Sequence, residues 1–146
     1  MLIQLLVFQM PGQIDLIIGP MFSGKTLGVI QRATIAQVAR KSVLVVKHSL
    51  DVRWDNPDAI VTHSGTKLQA SIRASTLAQV VDQISASPVA YDMICVDEGQ
   101  FFPDLADMAD VLANSGRHVV VAALDGNFLN HPTSRNFDQV IKLIPR

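Results

Sequence analysis

The sequence has little cysteine, little net charge and no long apolar run, and each shortage excludes a class of function. The single cysteine, Cys95, rules out an internal disulfide and fits a reducing compartment. Because there is no Cys-x-x-Cys pair, a thiolate zinc site built from this chain is excluded. A net charge of −1 provides no basic surface for a nucleic acid polymer. The apolar residues 1–10 are too short to span a membrane and lack a positive flank, and they are a leading strand, a disordered segment or a weak signal sequence. We expect a cytoplasmic protein without membrane contact.

Short apolar segments recur along the chain and predict its architecture. For 146 residues that are 49% hydrophobic, we expect one domain over 1–146. Four runs lack the alternation of a half-exposed strand, which predicts strands buried on both faces of a parallel sheet: residues 14–18, 43–46, 93–96 and 119–124. Helical patterns lie between these runs: residues 24–40, a helix capped by Ser75 or Thr76 that reaches Ala86, and a helix with Pro103 in its first turn that stops at Gly116. Alternating strands and helices predict an α/β fold.

Residues 19–26 read Gly-Pro-Met-Phe-Ser-Gly-Lys-Thr, which is the phosphate-binding pattern G-x-x-x-x-G-K-[ST]. A predicted strand precedes the motif and a predicted helix follows it, as in a P-loop, so we expect loop N–H groups and the helix N-terminus to bind phosphate oxygens. Lys25 is expected to reach the β- and γ-phosphates of ATP, and Thr26 to bind Mg²⁺. The alternative is a tight strand–helix turn with an incidental lysine. The motif and the pattern of elements predict a P-loop NTPase-like fold, with a mostly parallel sheet flanked by helices.

Two acidic residues, Asp97 and Glu98, follow the apolar run 93–96. A strand that ends in an acidic residue downstream of a P-loop predicts a Mg²⁺ ligand, here Asp97 opposite Thr26. Glu98 is a candidate base, which would activate water in an ATPase and a substrate hydroxyl in a kinase. The alternative is that both carboxylates cap the next helix.

Two further segments are expected near this site. Residues 48–67 are rich in polar side chains, which predicts an extended connection or hairpin, and long connections beside a phosphate site are often lids. The adjacent Phe101 and Phe102 form either a stacking platform for a flat ligand or part of the core. The four histidines show no spacing typical of a metal site.

Five motifs occur in a fixed order along the chain. They are the P-loop at 19–26, Asp-Val-Arg at 51–53, Thr-His at 62–63, Asp-Glu-Gly-Gln-Phe-Phe-Pro-Asp at 97–104, and Ala-Ala-Leu-Asp-Gly-Asn-Phe at 122–128. With these motifs, over residues 12–145, the chain closely resembles the cytosolic-type, zinc-containing thymidine kinases. The resemblance implies transfer of the ATP γ-phosphate to the 5′-hydroxyl of thymidine, in deoxynucleoside salvage for DNA synthesis. It also implies a homotetramer.

The resemblance assigns roles residue by residue. Phosphate binding falls on the loop: Gly19, Pro20, Met21, Phe22, Ser23, Gly24, Lys25 and Thr26. The residues implied in catalysis are Lys25, Arg53 and Glu98. The residues implied in holding Mg²⁺ are Thr26, Asp51 and Asp97. The residues implied in nucleoside binding are Met21, Phe101, Leu124, Phe128 and Phe137. No role is carried over to Gln100.

Two departures from the family pattern leave the activity open. Residues 133–136 separate Pro132 from Phe137, where the family usually has phenylalanine at once, and an apolar turn is expected over 137–145. The chain also ends at Arg146, before the family's zinc region and the lasso loop that closes over the nucleoside, so no zinc site is expected in residues 1–146. An ATP-dependent thymidine kinase core is the first hypothesis. The alternatives are another small P-loop ATPase and a catalytically impaired ATP-binding module.

Overall fold

The computed structural model describes residues 12–20, 23–51, 59–61, 67–69, 72–124 and 137–144. Strands and helices follow one another along these residues as β1 (Gln13–Gly19), α1 (Lys25–Val38), β2 (Val43–His48), β3 (Ala59–Val61), β4 (Lys67–Gln69), β5 (Ile72–Ala74), α2 (Leu77–Ala86), β6 (Met93–Val96), α3 (Leu105–Asn114), β7 (His118–Leu124) and α4 (Phe137–Lys142). A 3₁₀ turn, Gly99–Phe101, lies between β6 and α3.

Five of the strands form a parallel sheet in the order β1-β7-β6-β2-β5. The predicted α/β fold with a parallel sheet is therefore confirmed, and the four apolar runs are β1, β2, β6 and β7. The expected burial on both faces was wrong for β1, which is the first strand in this order and is only partly buried, with Ile18 42% exposed. The register pairs Gly19 with Leu124 and Val96 with Val121, so the carboxyl ends of β1, β6 and β7 lie along one edge of the sheet. Ligands of open parallel sheets bind outside this edge.

The polar connection after β2 contains the expected hairpin. β3 and β4 pair antiparallel, with Val61 opposite Lys67. β5, which the sequence did not predict, pairs parallel with β2 through Val46 and Ile72. Residues 52–58 and 62–66 lie outside the described residues, so the expected lid stays a prediction.

Successive side chains of each central strand pack on opposite faces of the sheet. In β6, Met93 and Cys95 face α1, whereas Ile94 and Val96 face the layer that contains α2, α3 and α4. α1 covers its face with Val29, Ile30, Ala33 and Ala36. Burial on both faces explains why these strands show no polar alternation, since each buried aliphatic side chain contributes about 1.5–3 kcal/mol.

Helix α2 begins as predicted, at a capping box in which the Thr76 hydroxyl accepts from the Gln79 N–H at 3.4 Å. The Asp104 carboxylate also accepts from the first two N–H groups of α2, on Leu77 at 2.9 Å and on Ala78 at 2.8 Å. Asp104 is itself the residue before α3, and Pro103 precedes it in the turn rather than in the first turn of the helix. One carboxylate thus joins the starts of two neighbouring helices.

The ends of α1 and α3 are set by residues with left-handed backbones. Gly116, at φ 89°, stops α3 as predicted, and the Arg117 N–H closes the turn on the Leu112 carbonyl at 3.3 Å. α1 ends at Val38 rather than at the predicted Arg40, because Arg40 adopts φ 59° and its N–H returns to the Gln37 carbonyl at 2.9 Å.

The expectation of an apolar turn over 137–145 was wrong, since Phe137–Lys142 forms α4. This helix packs on α3 and buries Val140 in the core.

Candidate active site

The loop between β1 and α1 depends on two glycines for different reasons. Gly24 adopts φ 86°, a left-handed conformation that strains any other residue, and caps α1 without a side chain. Gly19 leaves room for Ser23, because a Cβ there would lie 2.6 Å from the Ser23 Oγ and would displace that side chain. The loop therefore presents backbone at the N-terminus of α1, where partial positive charge favours an anion. Met21 and Phe22 of the same motif lie outside the described residues.

Lys25 is nearly buried, at 9% exposure, despite its charge. Its ammonium donates to the Pro20 carbonyl and, at 3.4 Å, to the Ser23 hydroxyl. The cation is thus folded back onto its own loop, over the backbone that the motif assigns to phosphate binding. A compact ammonium suits this position, since it attracts phosphate oxygens as a point charge.

Thr26 and Asp97 meet although they are 71 residues apart in the chain. The Thr26 hydroxyl lies 3.2 Å from one carboxylate oxygen of Asp97 and 3.4 Å from the other. Asp97, at 5% exposure, directly follows β6, and its N–H donates to the Val46 carbonyl of β2 at 3.3 Å. Asp51, also buried, follows β2, and its N–H donates to the His48 carbonyl at 3.0 Å.

A hydroxyl beside a buried carboxylate is a donor set of hard oxygens, and such oxygens are what Mg²⁺ prefers. Over the described ranges, no three His, Cys, Asp or Glu side chains group as a metal site. That finding is compatible with Mg²⁺, which is usually held by one or two side chains together with substrate phosphates.

Glu98 stands in a strained conformation at the sheet edge. Its backbone has φ 52° and ψ 51°, in the left-handed region that costs a non-glycine residue about 1–3 kcal/mol. At 8% exposure, the carboxylate accepts from the Gln100 side-chain amide. Glu98 precedes the 3₁₀ turn and makes no side-chain capping bond to it, so its carboxylate does not act as a helix cap. Strain of this kind concentrates at functional sites.

The two adjacent phenylalanines have different environments. Phe102 is fully buried in the core, whereas Phe101 is partly exposed. His48 stacks on the Phe101 ring, with centroids 5.4 Å apart and an interplanar angle of 25°, and meets Phe102 edge-on at 4.8 Å. Phe102 is therefore part of the core. Phe101 is exposed enough to serve as the predicted stacking platform for a flat ligand.

His48, for which no role was predicted, is held as a neutral ring. The Leu50 N–H donates to Nδ1 at 3.1 Å, which leaves the proton on Nε2 to donate to the Ser75 carbonyl at 3.0 Å. Burial lowers the pKa of His48 below its ordinary 6.5, against the smaller opposing effects of the Ser75 hydrogen bond and the Asp51 charge. A neutral imidazole therefore supports the buried side of the Phe101 ring.

The structure brings together some of the predicted site residues. Gly19, Lys25 and Thr26 meet the ends of β6 and β7, where Asp97 and Leu124 lie. Four predicted residues lie outside the described residues: Met21, Phe22, Arg53 and Phe128. Phe137 begins α4, and nothing further is described of its side chain.

None of the helices within the described ranges is long and apolar enough to cross a membrane.

Comparison with known proteins finds one matching family and relatives that match most of this chain. The family model described as thymidine kinase matches residues 12–146. Thymidine kinase 1 of Dictyostelium discoideum is 42% identical over 145 residues, which cover 97% of this chain and 60% of the relative. The thymidine kinase of Yaba monkey tumor virus is 41% identical over 135 residues, covering 92% of this chain and 68% of the viral protein. The thymidine kinase of Vaccinia virus (strain Western Reserve) is 39% identical over 134 residues, covering 92% and 70%.

The chain spans 60% of the length of the Dictyostelium relative and somewhat more of the viral ones.

Proposed function

The chain belongs to the thymidine kinase family, and from that premise we propose that it transfers the γ-phosphoryl group of ATP to the 5′-hydroxyl of thymidine. The observation that carries the proposal is the meeting of three groups at one sheet edge. These are the phosphate loop ahead of α1, the Thr26–Asp97 pair, and the buried Glu98 carboxylate beside that pair in sequence.

The phosphate loop binds the donor. Its backbone N–H groups and the α1 N-terminus bind the ATP phosphates, and Lys25 exchanges its bonds to loop oxygens for the β- and γ-phosphate oxygens. The exchange replaces neutral acceptors by charged ones, and hydrogen bonds to charged groups are about twice as strong. Arg53, which the resemblance adds to this cluster, stays a prediction.

Thr26 and Asp97 would hold Mg²⁺ with their oxygens, and Asp51 is a further proposed ligand. When bound, Mg²⁺ neutralises charge on the β- and γ-phosphate oxygens. The protein's own groups position the two substrates and stabilise the transition state electrostatically, which are the main contributions to phosphoryl transfer.

Glu98 accepts the proton of the 5′-hydroxyl as that oxygen forms its bond to the γ-phosphorus and the bond to ADP breaks. The carboxylate is buried and is placed by a strained backbone rather than by solvent. Phe101, supported from behind by His48, offers its other face to the thymine ring, and Leu124 lies at the end of β7 next to Gly19. Phe128, Met21 and Phe137 stay predicted members of the pocket. The homotetramer also stays a prediction.

The test is a transfer assay on the full natural protein, with radiolabelled ATP and thymidine. Glu98→Gln, which keeps the shape and removes the base, is expected to lower thymidine phosphorylation by about 10²–10⁴-fold with little change in ATP affinity. Asp110→Asn is the matched control, because this exposed carboxylate lies on α3 away from the sheet edge.

The alternatives give different outcomes in the same assay. ATP hydrolysis that does not depend on thymidine would identify a P-loop ATPase and overturn the proposal. ATP binding without any turnover would identify a nucleotide-binding module. Unchanged turnover in Glu98→Gln would remove the base from the mechanism.

A further inference from the structure

Gln100 is a buried polar side chain to which neither the motifs nor the proposed mechanism assigns a role. It is 2% exposed, in the 3₁₀ turn directly after Glu98. Its amide makes two hydrogen bonds, one to the Glu98 carboxylate and one to the Leu124 N–H. A buried amide with both ends bonded is a fixed structural link rather than a solvated surface group.

The partners determine which way the amide points. The Leu124 N–H is a donor, so the atom that faces it at 3.2 Å is the Gln100 Oε1. The Nε2 group therefore faces Glu98 and donates to its carboxylate. The opposite orientation would set a donor against a donor and an acceptor against a carboxylate.

The link spans two segments of the candidate site. Glu98 has a left-handed backbone, which a local sequence of this type does not hold by itself. Leu124 ends β7, and the register pairs it with Gly19, the first residue of the phosphate loop. Gln100 thus connects the Glu98 carboxylate by hydrogen bonds to the end of β7, the strand that adjoins the phosphate loop.

We propose that Gln100 is a positioning residue that orients the Glu98 carboxylate relative to the end of β7, so that the base faces the acceptor hydroxyl in the productive geometry. This inference rests on the proposed function, because it takes Glu98 as the base. Gln100 acts through Glu98 and does not touch the reacting atoms.

Three variants separate the two bonds. Gln100→Met has a similar length and loses both bonds. Gln100→Glu keeps an acceptor for the Leu124 N–H but places a second carboxylate against Glu98. Gln100→Asn keeps the amide but is one methylene too short to reach both partners. All three are expected to lower kcat for thymidine phosphorylation, on the order of 10²-fold for Gln100→Met, since small misplacements of reacting groups cost this much. KM for ATP is expected to stay near the wild-type value.

The decisive measurement is a double-mutant cycle with Glu98→Gln in the full natural protein. If Gln100 acts through Glu98, Gln100→Met lowers kcat in the wild-type background and has little further effect once Glu98 is Gln. A general structural role predicts the same loss in both backgrounds, together with a raised KM for ATP. That additive result overturns the inference, as does unchanged kcat in all three variants.

A readout independent of activity keeps the inference distinct from the proposed function. Hydrogen exchange at the Leu124 N–H is expected to be slow in the wild type and in Gln100→Glu, and faster in Gln100→Met. Slow exchange in the wild type and in both of these variants shows that Gln100 does not hold Leu124. That result overturns the inference and leaves the proposed thymidine phosphorylation standing. Absence of thymidine phosphorylation in the wild type, with the exchange pattern as expected, refutes the proposed function and removes the positioning role with it.

Discussion

Gly24→Ala tests whether the backbone of the phosphate loop, rather than its packing, makes glycine necessary. Among the residues that the structure describes, nothing lies within 4 Å of a Cβ built on Gly24, so the substitution adds no clash with them. The whole cost comes from holding φ at 86°, which disfavours an L-residue by about 1–2 kcal/mol. For a chain of 146 residues, that loss corresponds to a fall in melting temperature of about 3–6 °C.

The same substitution is expected to weaken ATP binding. Relaxing φ moves the amides at the start of α1 away from the phosphate oxygens, and losing one hydrogen bond to a charged group costs about 1.5–3 kcal/mol. Each 1.4 kcal/mol is about tenfold in Kd, so a loss of tenfold or more is expected.

Gly28→Ala is the matched control, one turn further along α1. Its N–H already bonds to the Gly24 carbonyl at 3.0 Å, so this amide is not available to a phosphate. A Cβ there would lie 3.2 Å from the Ile17 Cδ1, the end of a flexible side chain. Alanine in a helix interior gains about 1 kcal/mol over glycine, so the melting temperature is expected to hold or rise slightly and ATP affinity to stay unchanged.

Thermal unfolding followed by circular dichroism, and calorimetric titration with Mg²⁺–ATP, measure the two effects. The reasoning is refuted if Gly24→Ala melts at or above the wild-type temperature, or if the two variants lose ATP affinity equally.

Two further predictions concern His48 and Asp104. Because burial lowers the pKa of His48, the unfolded chain binds its proton first, and the free energy of unfolding is expected to fall as the pH drops below 6.5. His48→Gln should flatten this dependence in urea titrations on either side of that pH, and an unchanged slope would contradict the assignment. Asp104→Ala removes the carboxylate that caps Leu77 and Ala78 and should cost about 1–2 kcal/mol of stability in urea, whereas Asp110→Ala on the exposed side of α3 should cost less than about 0.5 kcal/mol. Equal losses in these two variants would show that the cap contributes nothing.

The sequence predicted the parts of the fold that local patterns determine. The strands β2, β6 and β7 were visible as apolar runs, and β1, which is only partly buried, as a run interrupted by Asp15. The phosphate loop was visible through the spacing of Gly19, Gly24 and Lys25. Both signals are contained within a few residues and do not depend on the rest of the chain. The Thr26–Asp97 contact followed from topology, because the carboxyl ends of parallel strands meet at one edge.

The parts that the sequence did not predict depend on distant partners. β5 has only three residues with an arginine in the middle, and it becomes a strand because β2 offers it a partner. The end of α1 was missed because Arg40 takes the left-handed position usually held by glycine. The link made by Gln100 requires the turn at Glu98 and the end of β7 to be placed first. A glutamine beside a candidate base was the available signal, and it specified no partner.

The carboxylate of Asp104 has a mechanical consequence for the segment that carries the candidate base. At one end of residues 97–104, Asp97 is hydrogen-bonded to β2 and to Thr26. At the other end, the Asp104 carboxylate accepts hydrogen bonds from the start of α2. Between these two anchors, Gly99 leaves no room for even a methyl group against Val121, at 2.8 Å. The segment is therefore held at both ends and packed in the middle, and it is not built as a hinge. Closure over a substrate would then come from other parts of the protein that move toward residues 97–104.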